Sequence, residues 1–242
     1  MQLSALLDRL PPRIAVPARA RFGHRDLEVG ELHRWVRPGS TVWDVGAHKG
    51  SYTWHLARLV GPGGRVHAFE PQPDLAARLA QGVPAQVTVH GVALSAEHGT
   101  APLTVPVWGR TRMQGHASLE GHNATGPDQT VDVPTRTADS FHHCPTFVKI
   151  DVEGHERTAL RGAEETITRA RPVLLVEIDF RHPHGATGRA ELLEWMTAHG
   201  YRAHHVPSPG ELVASPDLRG GSDPNEGIVA DHYVFNWVFL PG

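Results

Sequence analysis

The chain is short of cysteine, of lysine and of long apolar runs. Among its 242 residues there is one cysteine, Cys144. A single thiol can neither close an internal disulfide nor build a structural zinc site from several thiolates, and such usage suits a reducing compartment. No apolar stretch approaches the roughly 20 residues that span a bilayer as a helix. The opening segment, MQLSALLDRLPPRI, lacks the long apolar core of a secretory signal. A cytoplasmic protein with no membrane span is the expectation. Neither sign of charge dominates either: 23 Lys+Arg against 26 Asp+Glu leave a net charge of -3. Duplex nucleic acid demands a basic field, so no nucleic-acid partner is expected. Of the 23 basic side chains only Lys49 and Lys149 are lysines. Against that arginine bias, a retained lysine is a candidate for chemistry.

What is present is ordinary for a globular protein: 20% charged and 40% hydrophobic residues. The length fits one large domain or one domain with additions. Residues 3–10 read as a short helix stopped by Pro11-Pro12, and residues 26–36 as a second helix with Asp26 as N-cap; together residues 1–37 form an N-terminal helical cap. From residue 38 an alternating rhythm begins. Strands are expected at Thr41–Val45, Arg65–Phe69, Gln86–His90, Thr146–Asp151, Pro172–Ile178, Gly200–Val206 and Tyr233–Leu240. Helices are expected near 50–60, 73–81, 155–170 and 187–199. Strand, turn, helix, strand is the mark of a doubly wound, mostly parallel α/β sheet. Residues 97–137 break the rhythm with strand-like Leu103–Val107 and Thr130–Thr135, and read as an inserted hairpin or flap. Residues 207–231 read as a rim loop.

Two acidic positions flank the first strands. In TVWDVGAHKGSYT the first strand ends in Asp44-Val45, and Gly46 and Gly50 punctuate the turn into a helix. Glycine permits positive φ and close ligand approach, and a helix N-terminus offers free N–H groups. The pattern D-x-G-x-x-x-G lacks the third glycine of the dinucleotide fingerprint. Asp44 suits the ammonium of an amino-acid moiety such as that of S-adenosylmethionine. The alternative is a plain turn whose glycines serve packing. Glu70 ends the next strand, 70 − 50 = 20 residues after Gly50, the placement of an acid that holds a ribose diol; alternatively it caps the following helix.

The second cluster is FVKIDVEGHE. Alternate strand residues share a face, so Lys149, Asp151 and Glu153 fall on one parity, opposite Val148, Ile150 and Val152. Either they pair with one another, or they bind substrate and move a proton. The strand VLLVEIDF carries Glu177 and Asp179; as a neighbour it would set Glu177 beside Asp151. Two close carboxylates share a proton or hold a divalent cation; a cation is not the favoured reading, and no metal ligand is assigned. Of the 18 histidines, His182, His184, His204 and His205 are expected to be solvated, and His142-His143-Cys144 points to different sides of an extended chain. His48, in the glycine turn, and His155, after Gly154, are candidates for cofactor contact and general base. In the flap, Arg110, Arg112, His116 and Ser118 could meet a polar acceptor.

Taken as a set, Trp43-Asp44-Val45-Gly46-Ala47-His48-Lys49-Gly50, Phe69-Glu70-Pro71, Val92-Ala93-Leu94-Ser95 and Lys149-Ile150-Asp151-Val152-Glu153-Gly154-His155-Glu156 resemble the FkbM-type methyltransferases. So do Leu160-Arg161-Gly162-Ala163 and Arg171-Pro172-Val173-Leu174-Leu175-Val176-Glu177. The resemblance covers about residues 38–180. It implies a class I methyltransferase fold, a Rossmann-like seven-stranded sheet with the last strand antiparallel, binding S-adenosylmethionine. It implies O-methylation of a small hydroxylated acceptor such as a sugar or natural product. It places Asp44, Gly46, Ala47, His48 and Gly50 around the methionine part, Glu70 at the ribose and Ala93 near the adenine. Lys149, Asp151, Glu153 and Ser118 fall on the acceptor side. Asp151 is then the first candidate base, tuned by Lys149 and Glu177, with His155 second. The family usually has Asn where this chain has His48. A nicotinamide-dependent oxidoreductase is the rival, disfavoured by the missing glycine, and a non-catalytic module of this fold is another. A homodimer is left open.

Overall fold

Short apolar runs separated by amphipathic segments set the central layer. In this computed structural model the described residues are 6–22, 26–108, 111–112, 117–120, 128–178, 185–216 and 236–242. The first strand, β1 (Thr41–Val45), pairs in parallel with β2 (Arg65–Phe69) on one side and with β8 (Phe147–Ile150) on the other. Outward from β2 lies β3 (Val87–His90). Outward from β8 lie β9 (Val173–Glu177), β12 (Asn236–Pro241), β10 (Tyr201–His205) and the two-residue β11 (Val213–Ala214). β12 runs antiparallel to both β9 and β10. The expected seven-stranded sheet is therefore present with its antiparallel final strand, but β11 adds an eighth strand at the edge. Two residues carry too little periodicity to be read as a strand beforehand.

Alternation along the strands feeds two apolar layers. Trp43, Val45, Val148, Ile150, Leu174 and Val176 face one side; Val42, Val66, Phe147, Leu175 and Val238 face the other. The first layer is covered by helices at Glu156–Arg161, Glu164–Ala170 and Gly185–Ala198, and the second by the helix at Ser51–Val60. The single helix expected over 155–170 is interrupted at Gly162-Ala163, and a Cβ at Gly162 would lie 1.9 Å from the Ser95 carbonyl oxygen.

The N-terminal segment differs from expectation. Leu6 and Leu7 are helical and residues 8–10 turn, but Pro12 opens a helix, Pro12–Phe22, instead of only ending one. Proline is tolerated in a first helical turn, where its missing N–H has no partner to lose. This helix lies over Ser51–Val60 and the helix at Pro73–Gly82: Val16 packs within the cluster of Ala47, Ala68 and Leu79, and His55 Nε2 meets the Ala20 carbonyl at 2.9 Å. His205 is also buried, its Nδ1 2.6 Å from Ser215 Oγ, so it is not the solvated residue expected.

The flap region forms a sheet of its own. β5 (Gly99–Trp108) pairs antiparallel with β7 (Asp128–Arg136), and β7 pairs with β4 (Ala93–Leu94), which joins the flap to the chain leaving β3. β6 (Thr111–Arg112) pairs antiparallel with the end of β5. The side chains of Arg110, Arg112 and His116 lie outside the described residues, as do Asp179, His182, His184 and Tyr233.

Candidate active site

β1, β2 and β8 all run in one direction, so their last residues converge at one rim. There Asp44 is paired across β1 and β8 with Lys149. Both are buried, at 1% exposure each. Asp44 accepts a 2.5 Å hydrogen bond from Thr53 Oγ1. Lys149 Nζ donates to Asp151 Oδ2 at 2.5 Å and stands 4.8 Å from the centre of the Tyr52 ring. Burial pushes the Asp44 carboxyl up, against the pull of Lys149 and Thr53. Burial works to lower the Lys149 ammonium, but Asp151, Glu177 and Asp44 outweigh it and raise it. Glu177 is pushed to about 8, by burial and then by repulsion from Asp151. The expected adjacency of Asp151 and Glu177 follows from the register, since Ile150 pairs with Val176. Lys149 is thus the shared cation of a carboxylate group, and the ammonium beside Asp44 is the protein's own.

Beside this cluster a cavity, open to solvent, lies between the rim and the flap. Gly46, His48, Glu70, Ala93, Asp151, Glu153 and His155, all singled out in the sequence, line it together with Pro71, Leu94 and Val152. The flap contributes Leu103, Ala117 and Leu119. Asp44, Ala47, Gly50, Lys149 and Glu177 stand behind this wall rather than on it.

The glycine turn is built mainly by protein contacts. The N–H groups of Gly46 and Ala47 both donate to the Phe69 carbonyl at 3.0 Å, and that of His48 donates to Glu70 Oε2 at 2.7 Å. Gly46 has φ +81, and a Cβ there would sit 1.7 Å from the Asp151 carbonyl oxygen. Gly50, at φ +83, is the N-cap of the following helix, and its bare face meets Leu79. The close approach that glycine allows is used by β8 and by the helix at 73–82. The turn amides named above are therefore spent on Phe69 and Glu70.

Glu70 is fixed by two backbone donors, Oε2 by His48 and Oε1 by Gln72 at 2.8 Å. Each oxygen keeps a second acceptor direction. Burial pushes its carboxyl up to about 7, against those two N–H groups. His48 is half-buried with φ +49, and its buried Nε2 has no hydrogen-bond partner among the described residues. Burial, with Lys49 nearby, lowers its imidazolium to about 4, so it is neutral at neutral pH.

The KIDVEG loop turns sharply: Glu153 has φ +52 and Gly154 φ +98. Glu156 holds the turn, its Oε1 accepting from the Gly154 and Val152 N–H groups at 3.0 and 3.3 Å. Burial raises Glu156 to about 7. Ser118, expected on the acceptor side, instead spends its hydroxyl on the Glu153 carbonyl at 2.6 Å and accepts from the Glu120 N–H. His155 Nδ1 lies 2.6 Å from Glu120 Oε1 and its Nε2 3.1 Å from Ser95 Oγ. Glu120 and Ser95 were assigned no role from the sequence. Ser95 at least falls in one of the family-like motifs; Glu120 carries no signal, because its position depends on how the flap folds back.

Residues 44–203 match the Methyltransferase FkbM domain, which is most of the chain. The chain belongs to the FkbM methyltransferase family. The cofactor that the sequence resemblance implied for this family is S-adenosylmethionine. The FkbM methyltransferase of Methylobacillus flagellatus is similar in structure, with 19% identity, TM-score 0.48, and coverage of 87% of this chain and 57% of that one. A Clostridium thermocellum protein named as a putative rRNA methylase has TM-score 0.52 and 13% identity, over 88% of this chain and 90% of that one, a likeness of fold. Ribosomal RNA large subunit methyltransferase E of Acinetobacter baylyi is 42% identical over 52 residues, 22% of this chain and 24% of that protein. The same enzyme of Chromobacterium violaceum is 36% identical over 52 residues. The chain covers about a quarter of the length of these relatives.

The cavity of this FkbM-family chain suits the cofactor. Glu70 offers two fixed acceptor directions to a diol, Ala93, Leu94 and Leu103 offer an apolar wall to a base, and Asp151 and Glu153 offer negative charge to a cation. The orphaned, buried Nε2 of His48 supplies a hydrogen-bonding atom with no protein partner, and a buried polar atom of that kind calls for a ligand or water. Among the described residues no group of three or more His, Cys, Asp or Glu is arranged to hold a metal, and no helix is long and apolar enough to cross a membrane.

Proposed function

We propose that this enzyme methylates a hydroxyl oxygen of a small molecule, a sugar or a natural product. When bound, the cofactor supplies an electrophilic methyl group. The chain's own residues then have three tasks: to hold the cofactor, to align the acceptor oxygen, and to take the hydroxyl proton. Glu70 and His48 hold the ribose and the neighbouring polar groups, and Ala93 lies at the adenine. Alignment comes from the narrow space between the flap's Leu103, Ala117 and Leu119 and the rim; orientation of this kind supplies much of the rate in a displacement.

The observation that carries the reading is the placement of two proton-accepting groups, Asp151 and His155, on the wall that also holds Glu70. A hydroxyl must lose its proton on methylation, and a positioned base contributes roughly 10²–10⁴-fold. A small molecule is favoured over RNA because the rim is acidic and the chain carries a net charge of -3, which repels phosphate.

Incubation with isotope-labelled cofactor and a panel of hydroxylated sugars and polyketide-like alcohols tests this. Label incorporated as an O-methyl group, identified by NMR of the product, is the expected result. Label found only on nitrogen, on carbon or on ribosomal RNA would overturn it.

A further inference from the structure

The inserted flap does more than roof the cavity: it grips one imidazole on the cavity wall from both ring nitrogens. His155 belongs to the core, as the N-cap residue of the helix at Glu156–Arg161, yet its side chain makes no capping bond. Its ring turns instead toward the flap sheet. Glu120 Oε1 meets Nδ1 at 2.6 Å and Ser95 Oγ meets Nε2 at 3.1 Å. The imidazole is 8% exposed, whereas the Glu120 side chain is 32% exposed.

A carboxylate only accepts hydrogen bonds, so the contact with Glu120 requires the proton on Nδ1. In the neutral ring Nε2 is then left with its lone pair, and the Ser95 hydroxyl donates to it. The other proton acceptor on this wall is already engaged, since Asp151 Oδ2 is bonded to the Lys149 ammonium. Glu120 and Ser95 are themselves fixed: Ser118 Oγ accepts from the Glu120 N–H while donating to the Glu153 carbonyl, and the Ser95 N–H donates to the Arg136 carbonyl at the junction of β4 and β7.

We propose that Glu120 is a positioning residue for His155, fixing the tautomer whose Nε2 takes the acceptor's hydroxyl proton. The proposal rests on the methyl-transfer reading given above. With the cofactor bound, the acceptor hydroxyl would take the place of the Ser95 hydroxyl and pass its proton to Nε2, the oxygen's electron pair would form the new bond to the methyl carbon, and the carbon–sulfur electron pair would leave with the demethylated thioether. The imidazolium so formed donates through both nitrogens, and Glu120 stabilises it. An orienting carboxylate of this kind matters greatly to a histidine base, because the wrong tautomer presents N–H where a lone pair is needed.

The test has two arms on the full chain. Nitrogen-15 NMR of the histidines at pH 8, with His155 assigned by His155→Gln, reads the tautomer without any acceptor. The Nδ1–H form is expected in the wild type, and a shift toward Nε2–H in Glu120→Gln. Ser95→Ala should keep the Nδ1–H form, and Glu120→Asp should retain it in part. A wild-type ring in the Nε2–H form, or a Glu120→Gln ring like the wild type, overturns the proposal. Should Glu120→Gln not fold, Glu120→Ala, which also removes the carboxylate, carries the same comparison. With an acceptor in hand, kcat should fall about 10–100-fold in Glu120→Gln while KM for the cofactor holds, and unchanged kcat overturns the proposal. A wild-type chain that binds no cofactor or methylates no hydroxyl fails the broader reading instead, and the tautomer arm still decides what Glu120 does.

Discussion

At the scale of single residues, Glu70 carries the sharpest consequence. Its carboxyl is buried, tied to the His48 and Gln72 N–H groups, and raised to about 7. A diol donates to the ionised form, so affinity for S-adenosylmethionine should rise as pH climbs from 6 to 8. Glu70→Gln should weaken binding by about tenfold or more at pH 8, the effect of losing a charge-assisted contact, and should flatten the pH dependence. Calorimetry across that range checks both; a pH-independent wild-type affinity would remove Glu70 from the diol. Gly46 yields a second test of a different kind. Its φ of +81 and the 1.7 Å clash of any Cβ with the Asp151 carbonyl oxygen mean that Gly46→Ala must push β8 from β1. A loss of about 2–4 kcal/mol in denaturant unfolding is expected, against less than about 1 kcal/mol if the rim could yield. The two residues also show what the sequence could tell. The position of Glu70 was legible because it depends on spacing along one βαβ unit. The surroundings of Asp44 were not: its hydrogen bond comes from Thr53 on the next helix, and the charge of Lys149 reaches it from a strand about a hundred residues away, across the β1–β8 register.

At the scale of elements, the flap is a sheet with its own small core. Ala93, Leu103 and Val133 are buried together, with Ala117, Leu119 and Val131 packed against them. This core is separate from the two layers of the central sheet, so flap and sheet should open with different free energies. Leu103→Ala removes a side chain that is 2% exposed, a loss of about 2–5 kcal/mol from the unit that contains it. Amide exchange should therefore quicken over Gly99–Trp108 and Asp128–Arg136 while β1, β2 and β8 keep wild-type protection. Uniform acceleration across both sheets would show one cooperative unit. The two strands of the hairpin were legible from alternation at Leu103–Val107 and Thr130–Thr135, because a strand with one buried face writes its period into the sequence. The helix at Pro12–Phe22 was not, since its proline-rich start reads as a stop, and what holds it is packing on distant helices rather than a local pattern. The break in the helix at Gly162 was equally hidden, and the Ser95 carbonyl lies close against that glycine.

At the scale of the whole molecule, burial has moved two sets of ionisable groups in opposite directions, and the balance fixes how stability varies with pH. Glu28, Glu70 and Glu156 are raised from 4.5 to about 7 and Glu177 to about 8, each chiefly by burial. These acids stay neutral in the folded chain where the unfolded chain ionises. Their contribution is complete below pH 4.5 and is lost as pH rises through 7 to 8. His48 and His67 are lowered from 6.5 to about 4, again chiefly by burial, and His90, His143 and His205 are lowered too. They contribute fully above pH 6.5 and less as pH falls toward 4. The His67 and His143 rings stack with centroids 3.7 Å apart, and His67 Nδ1 stands 3.1 Å from His90 Nε2, so charging one imidazole also disfavours charging the next. Between pH 4.5 and 6.5 the two sets oppose each other and the melting temperature should be nearly flat. Above 6.5 the histidines have finished titrating and only the acids still move, so Tm should fall by several degrees toward pH 8. Glu177→Gln should remove the last part of that fall, because its carboxyl is raised to about 8 where those of Glu28, Glu70 and Glu156 reach about 7. Scanning calorimetry in the cofactor-free state, at constant ionic strength, reads this directly. A Tm that climbs steadily from pH 6.5 to 8 would mean that the rim carboxylates are charged in the folded chain, with Lys149 neutralising more of them than Asp44, Asp151 and Glu177 leave it free to do.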